Sequence, residues 1–290
     1  MDGGHRRGFE RIGLRESPRR ARSRYLGIGC HSRFSIDTID NSPANVLLLI
    51  VAGFLAGVVG SAGGITSLIS YPALLAVGIP ALPANVTNVV ALVAAFPGSA
   101  LGSRPELRGR REWLRRWALL AALGGASGVA LLLLTPNHVF ARIVPFLLAS
   151  GALLMLLQPR ISRWRERRQR ESNRLLLPGG LFLMCVYTGY FGAGSGVMVL
   201  VLLLLTVDQD LPRANALKNM ILGVATVVAA VGFVLFGPVH WLAAVFLAIG
   251  LFAGSFVGPS VTRRMPGTLL RVLVAGAGFG LAIWLWVTSK

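Results

Sequence analysis

The long charge-free stretches of this chain limit its possible folds more than any other feature. Residues 44–103 contain no Asp, Glu, Lys or Arg, and residues 117–141 also contain none. A helix of roughly 20 residues already crosses the hydrocarbon layer of a bilayer, so runs of this length exceed what a soluble core helix needs. The alternating segments of about ten residues that mark a membrane β-barrel are missing. The sequence therefore predicts an all-α, polytopic membrane protein.

Apolar segments occur in two groups of five, separated by an Arg-rich stretch. They cover residues 44–60, 64–79, 85–103, 114–134 and 140–158, then 176–192, 196–207, 214–236, 239–261 and 268–287. We expect four regions from this order, namely a basic N-terminal tail (1–43), a first transmembrane repeat (44–158), an Arg-rich cytoplasmic linker (159–174) and a second transmembrane repeat (175–287). The polar, Arg-rich tail has the composition of a disordered segment, with an over-long start assignment as the alternative.

Positive charge is concentrated in three hydrophilic stretches that border the apolar segments. The formal net charge is +18, and the clusters hold nine Arg in the tail, six in 104–116 and seven in 160–174. Because they adjoin membrane spans and lack interleaved aromatic residues, they favour cytoplasmic loops and anionic lipid headgroups over nucleic acid. This pattern predicts a multi-pass membrane protein with no nucleic-acid partner.

The two groups of segments repeat one another. Three glycines recur at a constant offset of 132, with Gly57, Gly60 and Gly64 falling on Gly189, Gly192 and Gly196. Further on the offset is 130, and Asn85 falls on Asn215. An internal repeat whose apolar segments are interrupted by glycine at matching places points to a transporter with its site between two related halves.

The number of membrane crossings depends on whether the glycine-rich segments are broken. If all three basic stretches are cytoplasmic, segments 44–60 and 64–79 make one net crossing, with a break between residues 60 and 64. Segment 196–207 has about 12 residues, roughly 18 Å of helix, which is too short to span. We therefore expect about eight net crossings. Inverted repeats with five true crossings per half remain open.

The two glycine clusters are candidate binding segments. Each places several glycines and a serine within five residues, a density that breaks a helix, and they comprise Gly60, Ser61, Gly63 and Gly64, then Gly192, Gly194, Ser195 and Gly196. Broken backbone at membrane depth is tolerated where it is buried in protein or lines a wet cavity, and a following helix N-terminus attracts anions. A hinge or close packing is the alternative. Close packing is also the interpretation we favour for Gly124/Gly128, Gly250/Gly254/Gly258 and Gly276/Gly280.

The polar residues that open the next segment are the other candidates. They are Asn85, Thr87 and Asn88 in the first half and Asn215, Lys218 and Asn219 in the second. Buried amides and hydroxyls in a membrane are costly unless they are paired or solvated, so repeated ones suggest a polar interior. Helix N-capping is an equal alternative for Asn85 and Asn215, and snorkelling to the interface is the alternative for Lys218.

Acidic residues are absent from every predicted span. All eleven lie in the tail, the Arg-rich stretches or the turn that contains Asp208 and Asp210. Cation transporters and proton pumps usually need a buried carboxylate, so an anionic substrate is favoured. No nucleotide-binding motif, catalytic set or metal-ligand cluster occurs, so we expect neither an enzyme nor a cofactor or metal. The oligomeric state cannot be predicted.

The repeated motifs resemble the TauE/SafE family of sulfite exporter-like permeases over about residues 44–287. The resemblance rests on GFLAGVVGSAGG (53–64), YPALLAVG (71–78) and ANVTN (84–88), and on GYFGAGSG (189–196) and ANALKN (214–219) in the second half. It implies a secondary transporter of sulfite, a sulfonate or a related small anion in the cell (inner) membrane. We expect the candidate residues above to form its site. The Arg-rich tail, and Leu217 where the first repeat has Thr87, depart from the family pattern. The alternative function is a non-transporting membrane scaffold that uses its basic loops, and a channel is a third possibility.

Overall fold

The computed structural model describes residues 42–166, 176–208 and 210–262, which all belong to one compact unit that spans 37–290. Within these residues the elements are helices, and no strand occurs. In chain order they are α1 (Pro43–Gly63), α2 (Ser67–Ala76), α3 (Ala81–Leu92), α4 (Ala95–Gly102), α5 (Arg104–Leu107), α6 (Arg111–Leu133), α7 (Asn137–Glu166), α8 (Leu176–Tyr190), α9 (Ser195–Thr206), α10 (Leu211–Phe236) and α11 (Trp241–Thr262). The predictions for tail residues 1–41, for 167–175 and for the last apolar segment lie outside the described residues.

Both glycine clusters break the chain into a longer helix and a short one, as predicted. The helix α1 begins after Ser42, whose hydroxyl accepts the Asn45 N–H, and ends at Gly63, followed by Gly64 with a left-handed φ of 78°. The following α2 has 10 residues, about 15 Å of helix, and cannot cross a bilayer. In the second half, Gly192 and Gly194 have φ of 77° and 78° between α8 and the 12-residue α9.

Three boundaries differ from those expected. The apolar segment 85–103 is not one helix, because α3 ends at Leu92 and α4 begins at Ala95. The basic stretch 104–116 is largely helical, since it contains α5 and the first turns of α6. The helix α7 continues to Glu166, so the first part of the expected linker 159–174 is also helical.

Glycines hold the helices of the two halves close together. The helix α1 packs against α11, where a Cβ added to Gly57 would lie 2.6 Å from the Leu251 carbonyl oxygen, and the backbone of Phe54 blocks a side chain at Gly254. The helix α6 packs against α8 in the same way, with a Cβ on Gly124 only 2.6 Å from Cys185 Cβ. The packing role expected for Gly124/Gly128 and Gly250/Gly254/Gly258 is therefore confirmed. Gly276 and Gly280 lie outside the described residues.

Five helical stretches of the described chain are long and apolar enough to span a membrane. They are Pro43–Ser61, Ala81–Gly102, Arg111–Leu133, Leu211–Phe236 and Trp241–Ser260. Large apolar side chains on these helices point outward, among them Leu119 and Phe236, which are 69% and 75% exposed. Such a surface suits lipid rather than water. The protein is a multi-pass membrane protein, and the number of crossings stays a prediction.

Candidate functional site

The two helix breaks, which are 132 residues apart in sequence, touch each other in the structure. A Cβ added to Gly64 would lie 2.5 Å from the Cα and carbonyl carbon of Gly196, and one on Gly196 would collide with the Gly64 backbone. Only glycine permits this approach of backbone to backbone. The contact brings the ends of α1 and α8 and the starts of α2 and α9 to one place between the halves.

A cavity of about 90 Å³ lies at this meeting point. Its wall is rich in hydroxyl groups, which come from Ser61, Thr66, Ser67, Ser99, Thr188, Ser195, Thr226 and Ser255. Lys218 and Asn219 add nitrogen donors, and the rings of Phe96 and Phe191 supply apolar wall. No carboxylate is among the lining residues. Hydroxyl groups rotate, so they donate or accept according to what they meet.

Lys218 lies in the protein interior and does not snorkel. Its side chain is 1% exposed, and its ammonium donates to Asn215 Oδ1 at 2.7 Å and to the Gly60 carbonyl oxygen at 3.4 Å. The described residues place no carboxylate in salt-bridge range of it. The Gly60 carbonyl belongs to the last turn of α1, the negative end of the helix dipole, which partly compensates a cation. The interpretation of Lys218 as a snorkelling residue is wrong.

Neither predicted N-cap asparagine caps its own helix. The helices begin after Pro80 and Asp210, five residues before Asn85 and Asn215. Each asparagine instead donates its amide to the last turn of a helix of the other half. Asn85 Nδ2 donates to the Tyr190 carbonyl at 3.1 Å, and Asn215 Nδ2 to the Ser61 carbonyl at 2.6 Å.

The remaining polar candidates of α3 and α10 also have defined partners. Asn219 Nδ2 donates to the Ser61 carbonyl at 3.2 Å, and Asn88 Nδ2 donates to Ser67 Oγ at 3.3 Å. Thr87 Oγ1 accepts the backbone N–H of His240 at 3.0 Å and so joins α3 to the start of α11. This places Thr87 in a contact between helices rather than in the cavity wall.

The wall of the cavity is positive where the short helices begin. Thr66 and Ser67 stand at the start of α2, and Ser195 and Gly196 at the start of α9. Backbone N–H groups and the positive ends of helix dipoles attract an anion at such positions. Together with Lys218 and without a lining carboxylate, they suit a small anion.

The structure brings most of the predicted site residues to the cavity. Those in its wall are Gly60, Ser61, Gly64, Gly192, Ser195, Gly196, Lys218 and Asn219. Those outside the wall are Asn85, Thr87, Asn88, Gly194 and Asn215, while the surroundings of Gly63 are not described. Six hydroxyl residues of the wall are not among the predicted site residues, namely Thr66, Ser67, Ser99, Thr188, Thr226 and Ser255. Ser99, Thr188 and Ser255 each adjoin a packing glycine in sequence. Because such a glycine lies against another helix, this position indicates that the hydroxyl is near that helix as well.

Comparisons with known proteins agree with this architecture. The family model described as "Sulfite exporter TauE/SafE" matches residues 46–285. A "Probable membrane transporter protein" of Haemophilus influenzae is 28% identical over 238 residues, which are 80% of this chain and 91% of that protein. A "Probable membrane transporter protein ORF9" of a Sinorhizobium species is 29% identical over 81% of this chain and 90% of its own length. The "Probable membrane transporter protein YfcA" of Escherichia coli K12 is 27% identical over 80% and 86%. No solved structure matches.

Proposed function

This chain belongs to the TauE/SafE family of membrane transporters, and from that premise we propose that it is a secondary transporter of a small anion. The proposed substrate is sulfite, a sulfonate or a related sulfur-containing or organic anion. The proposed location is the cell (inner) membrane, where the Arg-rich stretches face the cytoplasm and contact anionic lipid headgroups.

The observation that carries this proposal is the ammonium group of Lys218 beside a cavity without a carboxylate. A cation removed from water needs compensation, because burial strips away its hydration. Lys218 has three N–H donors, and two protein oxygens accept from it. The remaining donor and the positive charge are suited to an anionic ligand in the cavity.

Cavity size supports a small substrate. A volume of about 90 Å³ holds a few water molecules or one compact oxyanion. Five of the eight lining hydroxyls donate to backbone carbonyls. The hydroxyls of Thr66, Ser67 and Thr226, together with the Asn219 amide and the helix N-termini, suit the several acceptor oxygens of sulfite or a sulfonate head. The rings of Phe96 and Phe191 allow a short apolar group beside the oxyanion.

Flux through liposomes tests the proposal. Purified protein should carry radiolabelled sulfite into liposomes faster than protein-free vesicles do, and sulfate, thiosulfate and sulfonates rank the substrates. Lys218→Ala should reduce that flux at least tenfold. Arg213→Ala is the matched control, because it removes a cation from α10 at a position 58% exposed. Absence of flux for every anion would refute the proposed function, and equal flux in Lys218→Ala would refute the role of Lys218.

A further inference from the structure

The contacts of Lys218 define a cation position at the end of a broken helix. Its ammonium lies between Asn215 Oδ1, at 2.7 Å, and the Gly60 carbonyl oxygen, at 3.4 Å, near the C-terminal end of α1. Both ligands are neutral oxygens. In the second half, a side-chain amide oxygen and a helix carbonyl are thus the first contacts of a buried monovalent cation.

The first half repeats part of this arrangement and lacks the cation. At the offset of 130, Asn85 corresponds to Asn215 and Asn88 corresponds to Lys218. Asn85 donates to the last residue of α8, Tyr190, as Asn215 donates to the last turn of α1. Residue 88, however, carries an amide where residue 218 carries an ammonium group.

Two acceptor atoms in the first half consequently lack a donor. Asn85 Oδ1 and Asn88 Oδ1 have no hydrogen-bond partner among the described residues, and both side chains are 0% exposed. They are three positions apart on α3, so they share one face of that helix. A buried carbonyl oxygen without a partner is unfavourable, and two on one face point to a common ligand.

The hydroxyl oxygen of Ser67 connects this face of α3 to the cavity. Asn88 Nδ2 donates to Ser67 Oγ at 3.3 Å, and Ser67 is part of the cavity wall. The nearby end of α8 contributes the negative pole of its helix dipole. The oxygens of Asn85 and Asn88 therefore lie close to the negative end of α8, while Ser67, at the positive start of α2, belongs to the proposed anion position.

We propose that Asn85 and Asn88 bind a sodium ion that is transported together with the anion. The ion occupies, in the first half, the place that the Lys218 ammonium occupies in the second. Calcium and magnesium sites generally use carboxylates, which these residues lack, whereas sodium accepts neutral oxygens. The anion supplies the opposite charge, so each ion strengthens the binding of the other. This inference rests on the proposed anion transport.

Replacing sodium by potassium or choline tests the sodium site in proteoliposomes. Uptake of radiolabelled sulfite should be at least tenfold faster with sodium than with potassium or choline outside at equal ionic strength. Purified protein should also bind ²²Na⁺, and sulfite should increase that binding. Asn88→Ala should remove ²²Na⁺ binding and the sodium dependence of uptake.

Asn88→Lys is the sharpest variant, because it supplies an internal ammonium group. It should carry sulfite at equal rates in sodium, potassium and choline. Asn137→Lys adds the same charge at an exposed position at the start of α7, and its uptake should keep the sodium dependence of the unmodified protein. Equal sulfite uptake in all three salts by the unmodified protein would overturn the sodium site and leave anion transport standing. Absence of sulfite uptake in every salt would instead refute the proposed function.

Discussion

Replacing Gly64 by alanine tests the contact between the two helix breaks on which the site depends. Gly64 has a φ of 78°, a region that costs an alanine about 1–2 kcal/mol. Its new Cβ would also lie 2.5 Å from the Gly196 backbone, and backbone cannot rotate away as a side chain does. Overpacking of this kind costs about 1–3 kcal/mol. The free energy of unfolding should therefore fall by about 2–5 kcal/mol.

Substitutions at two further glycines separate the backbone cost from the overpacking cost. Gly78 has a φ of 88° and no atom within 4 Å of an added Cβ, so Gly78→Ala carries only the backbone cost of about 1–2 kcal/mol. Gly196 has no positive φ but meets the Gly64 backbone, so Gly196→Ala carries only the overpacking cost of about 1–3 kcal/mol.

Thermal unfolding of the detergent-purified proteins measures the differences. At roughly 2–4 °C per kcal/mol, Gly64→Ala should lower the Tm by roughly 4–20 °C, and by more than either other variant. A Gly64→Ala protein as stable as Gly78→Ala, together with an unchanged Gly196→Ala protein, would show that the two breaks do not touch.

Three other substitutions address the surroundings of the cavity. Asn215→Leu removes the acceptor of the Lys218 ammonium and the donor to the Ser61 carbonyl, so the free energy of unfolding should fall by about 2–4 kcal/mol in the same thermal assay. Ser67→Ala should slow sulfite flux severalfold, whereas Ser127→Ala, an exposed hydroxyl on α6, should leave it unchanged. Arg110→Gln leaves the Asp208 carboxylate, 12% exposed, without its cationic partner, and should cost about 1–3 kcal/mol, a difference that high salt should reduce only in part. A Ser67→Ala flux equal to that of the control would remove this hydroxyl from the site.

The positions of the helix breaks followed from sequence because glycine density acts locally. The first cluster ends α1 at Gly63, with Gly64 in a left-handed conformation, and the second separates α8 from α9 at Gly192 and Gly194. That the breaks touch each other depends on how helices of different halves pack, and no local pattern contains this information. The hydrogen bond from Asn215 to Ser61, for example, joins residues 154 apart.

The N-capping alternative for Asn85 and Asn215 fails for a clear physical reason. It requires each asparagine to open a helix after a proline-containing turn, but Pro83 and Pro212 lie inside the first turn, where proline needs no N–H partner. The helices therefore start earlier, and the asparagines move from the cap to a buried face. Lys218 as a site residue stays a prediction, and its partners are carbonyl and amide oxygens that come together only when α1 packs against α10.

An anion bound beside Lys218 is the central claim, and selenite, the heavier analogue of sulfite, allows its direct observation. Crystals soaked with selenite and measured at the selenium absorption edge should show an anomalous peak in the cavity, within hydrogen-bonding distance of Lys218 Nζ. The peak should be absent in Lys218→Ala crystals and present in Arg213→Ala crystals. A selenium peak confined to the Arg-rich loops, in a protein that still transports sulfite, would contradict the account.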